Sequence, residues 1–257
     1  MKGEVTNGKN FFSTDVKDLK LIRNSLIIEN DEILVLNKPQ GIPVQGGSKI
    51  SRHIDGLLQP AFKTLYRPLL VHRLDKNTSG VLIVAKNRIS AKNLTESFKK
   101  KKIKKIYLAL VKGKVEQDNF QISKPLKKKK YLGKEKVFVD FEDGDEAITN
   151  VKVISSLDNF SFLALSPVTG RTHQLRVHLS DIGHPIVGDN KYDENKNKSS
   201  NHFRNPTLQL HCFQLIFSLL SGKIETVQAE IRNDMKNNIN ALGLERYIPE
   251  LGKKFLI

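Results

Sequence analysis

Between residues 104 and 165 the chain passes through successive extended, apolar-rich segments with only turns between them: 104–112, 120–123, 136–141, 146–154 and 160–165. Gly144 and the Asp158-Asn159 pair punctuate the series, and both residue types supply the backbone geometry that tight turns need. Strands joined by short turns pair antiparallel, because a parallel pair needs a crossover of a dozen residues or more. The expected class is therefore α+β, with a mixed, mostly antiparallel central sheet flanked by helices and loops, rather than a doubly wound parallel sheet.

The flanks fit that frame. Leu26-Ile27-Ile28, a turn at Glu29-Asn30-Asp31, and Ile33-Leu34-Val35-Leu36 read as a hairpin whose second strand is apolar on both faces. Pro39, Gly41, Pro43, Gly46 and Gly47 force an extended loop. A short helix is expected over 51–59, a buried strand over 81–85 and a helix over 88–102. In that last helix Ala91, Leu94, Thr95 and Phe98 share a face opposite the lysines. Thr172 stands as the N-cap of a helix running to about Ile182, with Leu175, Leu179 and Ile182 turned to the core. Residues 190–206, rich in Asn, Lys and Ser, read as a mobile surface loop. Strands at 207–217 and 223–231 and a helix from about 232 follow. Residues 1–25 read as a flexible leader and 26–257 as one catalytic domain, a size that a single core supports.

Charge narrows the partner. Forty-three Lys and Arg stand against 27 Asp and Glu, a formal charge of +16 with a pI near 9.8. A folded domain this basic fits a polyanion, nucleic acid first. Six lysines fill residues 99–105 around Ile103, and Lys127 to Lys130 form a second block in what reads as a loop, 124–133, able to clamp a backbone. Either block alone reads equally as a solvated face. Together they point to phosphate contact, which adds affinity and salt dependence but little sequence choice. No amphipathic membrane-surface helix, signal peptide or run of 18 apolar residues is present. Cys212, the only cysteine, lies in an apolar run and reads as a buried, inert thiol. These features imply an intracellular, reducing setting, the cytoplasm.

Several chemistries lack their residues. His173 and His178 are five apart, roughly 140° around a helix, so they do not converge on one metal ion. No Gly-x-Ser-x-Gly elbow, P-loop or dinucleotide fingerprint occurs, and no cofactor or metal is expected. Two dense polar segments remain. In Val71-His72-Arg73-Leu74-Asp75-Lys76-Asn77-Thr78-Ser79-Gly80, one carboxylate sits in a tight turn before a core strand, as a turn cap or a rigidly held nucleophile. In Pro167-Val168-Thr169-Gly170-Arg171-Thr172-His173-Gln174-Leu175-Arg176-Val177-His178, hydrogen-bonding side chains crowd a helix start that favours an anion.

Those two segments resemble the RluA-type pseudouridine synthases, together with Ile33-Leu34-Val35-Leu36-Asn37-Lys38-Pro39-x-Gly41, Lys105-Ile106-Tyr107-Leu108-Ala109-Leu110-Val111-x-Gly113 and Gly183-His184-Pro185-Ile186-x-Gly188-Asp189. The wording is nearest to the ribosomal large-subunit branch. The resemblance spans about residues 26 to 231 and implies isomerisation of uridine in structured RNA, without metal or cofactor, by a monomer. It implies Asp75 as the catalytic aspartate, Tyr107 as the ring against the target base and Arg176 as the partner of the aspartate. Arg73 would help displace the nucleotide, and His72, Thr78, Arg171, His173, Gln174 and Lys38 would contact substrate. Many relatives of that branch carry a small N-terminal RNA-binding module, for which some 25 residues leave no room. Three alternatives stand: a tRNA uridine isomerase of the same family, a non-catalytic RNA-binding or ribosome-assembly factor on this fold, and a nucleoside hydrolase or DNA glycosylase using Asp75.

Overall fold

The computed structural model describes residues 15–47, 50–64, 66–194, 203 and 206–251. In chain order its elements are α1 (Val16–Asn24), β1 (Leu26–Glu29), β2 (Ile33–Lys38), α2 (Ile54–Phe62), β3 (Leu69–Leu70), β4 (Ser79–Ala85) and α3 (Arg88–Lys99). Next come β5 (Lys104–Lys112), β6 (Asn119–Ser123), β7 (Leu126–Tyr131), β8 (Lys134–Val139), β9 (Ile148–Ser156), β10 (Phe160–Pro167) and α4 (Gln174–Asp181). The chain closes with β11 (Leu210–Ser218), β12 (Ile224–Gln228), α5 (Asn233–Ala241) and a 3₁₀ turn over Glu245–Glu250.

The main sheet runs β1-β2-β4-β11-β5-β10-β9-β6, with β12 beside β11 and β3 beside β4. Among the described residues only β4 and β11 pair in parallel; every other ladder is antiparallel. The expected α+β architecture is thus the observed one. Strand alternation divides the core. From β5, Ile106, Leu108 and Leu110 enter a cluster with Met235 and Ile239 of α5, while Ala109 and Val111 enter another with Leu175 and Leu179 of α4. A third cluster joins β2 and β4 to Leu57 and Leu58 of α2. Among the described residues no helix is long and apolar enough to cross a membrane.

Two glycines fix the chain beside the site. Gly80 has φ of +110° and Gly188 φ of +77°, where side chains are disfavoured. A Cβ on Gly80 would lie 2.1 Å from the Cys212 carbonyl oxygen, and one on Gly188 would lie 2.2 Å from that of Thr207.

Several expectations change. Residues 16–24 of the expected leader form α1, because Ile22 docks completely buried in the cluster of β2, β4 and α2 and Arg52 bonds both Asp18 oxygens, at 2.7 and 2.6 Å; residues 1–14 lie outside the described residues. Thr95 is exposed on α3, off the stripe that buries Leu94. The first helical residue of α4 is Gln174 and its cap position is His173, not Thr172. The loop expected at 124–133 is largely strand β7, hairpinned to β8. That hairpin leans on the site, with Leu126 and Val137 packed against Val177 of α4 and Tyr192. Of the expected mobile loop 190–206, Tyr192 and Asp193 are buried, and residues 195–202 and 204–205 lie outside the described residues.

Candidate active site

Asp75 occupies the loop between β3 and β4, with Leu74 buried before it and Thr78 and Ser79 buried after it. The turn is closed by the Thr78 amide donating to the Asp75 carbonyl at 3.1 Å. The loop after β2 clasps it, since Gly41 N–H donates to the Lys76 carbonyl at 2.9 Å and the Gln40 side-chain amide to the Asn77 carbonyl at 2.7 Å. Lys38 lies beneath, fully buried at the end of β2, rather than facing a ligand. Its Nζ donates to the carbonyls of Pro39 and Ile42, each at 2.8 Å, and of Lys76 at 3.2 Å. Burial pushes this amine down to about 7, while the Asp75 charge pulls it up. Three acceptors call for three protons, so the ammonium is the form that fits. His72 also turns inward. Its Nε2 accepts the Ile83 amide hydrogen at 2.9 Å, its ring stacks on Phe98 with centroids 4.5 Å apart, and burial pushes it down to about 3, leaving it neutral.

Two cavities meet at this loop. An outer cleft of about 540 Å³ reaches the 43–46 loop, and an inner pocket of about 90 Å³ reaches Thr78, Lys105 and Tyr107. Arg73, Leu74, Asp75, His173 and Arg176 line both, with Arg73 exposed at the mouth.

Opposite Asp75 stand two groups from the start of α4. Arg176 Nη1 is 3.9 Å from Asp75 Oδ2, and His173 Nε2 is 3.8 Å from the same oxygen. These are electrostatic contacts, too long for hydrogen bonds. The close partner of Arg176 is Asp189, which accepts from Nε at 2.8 Å and from Nη2 at 2.7 Å. Arg176, expected as the partner of Asp75, lies at ion-pair distance from it, while Asp189 is its hydrogen-bonded partner. Its fork is fixed from behind, and the free edge faces Asp75. Burial penalises the Arg176 charge, and the Asp189 hydrogen bonds outweigh that penalty and hold the guanidinium above its ordinary value. Burial likewise works against the Asp189 charge, but Arg176 keeps that carboxyl below the usual range.

His173 sits in the left-handed region at φ of 56°, without a side-chain cap bond, so its ring enters the site. Its Nδ1 is 2.7 Å from the Tyr192 hydroxyl, which accepts the Val137 amide hydrogen at 3.2 Å. The tautomer that satisfies this chain has Tyr192 O–H donating to Nδ1 and Nε2–H directed at Asp75, an assignment from the hydrogen-bond network. Burial pushes His173 down to about 4 against the pull of Asp75, so at neutral pH it presents a dipole, not a charge. The Tyr192 ring also lies under the Arg176 guanidinium, 5.0 Å away.

Tyr107 lines the inner pocket from β5. It pairs across the sheet with Cys212. Burial holds the phenol well above its ordinary value, so it stays protonated. Cys212 is the buried thiol expected, and burial pushes it up to about 12. Gln174 uses its whole amide on the fold: Oε1 accepts from the Thr169 hydroxyl at 2.7 Å and the Arg171 amide at 3.0 Å, and Nε2 donates to the Ile148 carbonyl at 2.9 Å and the Thr149 hydroxyl at 3.0 Å. It anchors the 169–171 loop on β9. Arg171 Nε donates to the Glu146 carbonyl at 3.0 Å, leaving the rest of an exposed guanidinium at the pocket rim. Sequence reasoning missed Asp189 and Tyr192 as site residues. Asp189 lay inside a recognised motif, and nothing local marked Tyr192.

An aspartate facing an arginine, beside an aromatic pocket in a mixed sheet, is the arrangement whose family the comparisons identify. Residues 32–181, more than half of the chain, match the family model for RNA pseudouridylate synthase, and the chain belongs to that family. Ribosomal large subunit pseudouridine synthase C of Rickettsia bellii is 42% identical over 178 residues, 69% of this chain and 59% of that protein. The protein of the same name from Pasteurella multocida is 35% identical over 237 residues, 90% of this chain and 71% of that protein. The chain thus covers less than two thirds of the Rickettsia relative. The solved structure of human RNA Pseudouridylate Synthase Domain Containing 4 superposes with a TM-score of 0.74 at 26% identity, over 88% of this chain and 95% of that one.

Proposed function

We propose that this chain is an RNA pseudouridine synthase that isomerises uridines of large-subunit ribosomal RNA, with residues 26–257 as its catalytic domain. The observation that carries the reading is Asp75, a lone carboxylate where the outer cleft and the inner pocket join, faced by Arg176 and His173 and with Tyr107 beside it. Breaking the C1′–N1 bond leaves positive character on the sugar. A rigid carboxylate at that carbon stabilises it, in the limit by bonding to C1′. Arg176 and the His173 N–H face this carboxylate across the pocket. The detached uracil turns against the Tyr107 ring, C5 bonds to C1′, the C5 proton leaves to solvent and N1 gains one. Tyr107 acts as a phenol, so its contribution is the aromatic face rather than a phenolate base.

A uracil within a stack cannot reach a pocket this small, so the nucleotide flips, and the exposed Arg73 guanidinium compensates the stack it leaves. The reaction is an isomerisation without net redox change and requires neither metal nor cofactor, and the proposed agent is a cytoplasmic monomer. The test is tritium release from large-subunit ribosomal RNA carrying [5-³H]uridine. Wild type is expected to release tritium without free uracil, and Asp75→Asn to lower the rate more than about 1000-fold. Release that survives Asp75→Asn overturns the catalytic role. Release from transfer RNA alone transfers the substrate to that class, and free uracil makes the chain a glycosylase.

A further inference from the structure

A third cavity of about 390 Å³ opens beside the inner pocket and shares Arg73, Lys105, Tyr107 and Arg171 with it. Lys99 and Lys101 complete five cationic side chains around this groove, and among the described residues no carboxylate lines it. Two of the five have acidic neighbours at the surface: Lys101 meets Glu146 at 3.2 Å, and Arg171 meets Asp145 at 3.4 Å. Exposed pairs of that kind are worth little and exchange readily for another anion. The other three, Arg73, Lys99 and Lys105, pair with no carboxylate among the described residues.

Lys105 is the unusual one. It is half-buried at the boundary of the two cavities, and its one hydrogen bond goes to the Thr169 carbonyl at 3.3 Å. Burial and the nearby Lys101 charge both press its pKa down. A partly desolvated ammonium without a counter-charge is a deficit that an arriving anion repairs. Its place on β5 says which anion. Lys105 and Tyr107 are two residues apart on one strand, so they share a face at about 7 Å along it. An aromatic ring for a base and an ammonium for a phosphate thus stand side by side, at the spacing of parts of adjoining nucleotides.

We propose that this groove binds the RNA phosphodiester adjoining the flipped nucleotide, with Lys105 as the charge at its floor and Arg73, Lys99, Lys101 and Arg171 around its rim. The assignment rests on the RNA reading above and adds to it a direction: the strand leaves the inner pocket along α3 and the 168–171 loop.

The test is filter binding of a large-subunit ribosomal RNA transcript between 50 and 300 mM KCl, in an Asp75→Asn background so that no turnover intervenes. Lys105→Met keeps the apolar stem. It is expected to weaken binding about 5- to 20-fold at low salt and to reduce the slope of log Kd against log salt by about one. Lys105→Arg should retain the slope. The double variant Lys99→Ala/Lys101→Ala, on exposed positions that threaten no core, should lose slope as well. An unchanged slope and Kd in both Lys105→Met and the double variant, each folded by circular dichroism, overturns the groove. A slope loss reproduced on double-stranded DNA of equal length removes the RNA assignment. Tritium release by wild type is scored separately, so failure of the isomerase reading and failure of the groove are distinguishable.

Discussion

The loop that carries Asp75 and the helix start that faces it are two walls of one cleft, and they are held by different means. The Asp75 wall is fixed by main-chain groups: the Thr78 turn, the Gly41 and Gln40 bonds to carbonyls, and Lys38 joining three carbonyls from below. The α4 wall is fixed by side chains on side chains, with Asp189 gripping Arg176 and Tyr192 holding His173. A wall of the first kind sets where the carboxylate sits. A wall of the second kind sets the field it sits in, and a single substitution there can change charge and orientation while the backbone stays.

The largest effect should come from the α4 wall. Asp189→Ala strips Arg176 of its buried counter-charge and should cost about 3–5 kcal/mol of stability in urea unfolding. Asp189→Asn keeps the shape and should fold, yet lower the tritium-release rate about 10- to 100-fold, as losses of a supporting partner do. If Asp189→Asn keeps full activity, the guanidinium needs no holder and the contrast between the walls fails. On the other side, Lys38→Met removes three hydrogen bonds, one buried and two part-buried, and should cost about 2–3 kcal/mol. It should lower kcat about tenfold with KM little changed, because the loop moves and the RNA surface does not. A Lys38→Met protein with unaltered kcat would mean that the main-chain turn alone positions Asp75.

The smallest effect, in pH, samples both walls. His72 on one and His173 on the other are held down to about 3 and about 4 by burial. A folded-state value below the unfolded one means that the unfolded chain takes up protons first as pH falls. Their stabilisation is therefore complete above about pH 6.5 and declines below it. Between pH 6.5 and 5.5 the unfolding free energy should drop by about 1 kcal/mol for each histidine, read from urea midpoints. A midpoint unchanged over that interval would show that neither imidazole is buried neutral.

The two lysine runs show how far a sequence can be read. They are alike as strings of letters. In the structure Lys127, Lys128 and Lys129 are matched to Asp143, Glu135 and Asp140 at 2.8, 2.6 and 2.6 Å. In the other run Lys100 is tied to Glu96 at 2.9 Å, whereas Lys99 and Lys105 face the groove without an acid. The hairpin reading was equally out of reach. A run of four lysines reads as loop, and β7 is a strand because β8 pairs with it and Val137 packs under Tyr192. Helix α1 escaped notice for the same reason, since its residues are mostly polar and its fold rests on burying Ile22 and pairing Asp18 with Arg52.

Features under short-range control could be read along the chain. Strand runs joined by turns dictated an antiparallel sheet, the pattern around Asp75 marked a carboxylate in a rigid turn before a core strand, and the ordered motifs carried the family. Tertiary structure alone decided the partners. Arg176 is gripped by Asp189 and faces Asp75, Lys38 lies under the loop instead of in the cleft, Gln174 braces the 169–171 loop, and Lys105 pairs with no carboxylate among the described residues. Hydrogen-bond turns and apolar periodicity act over a few residues and can be read along the chain. Which charges meet depends on distances through space that exist only after the sheet has closed.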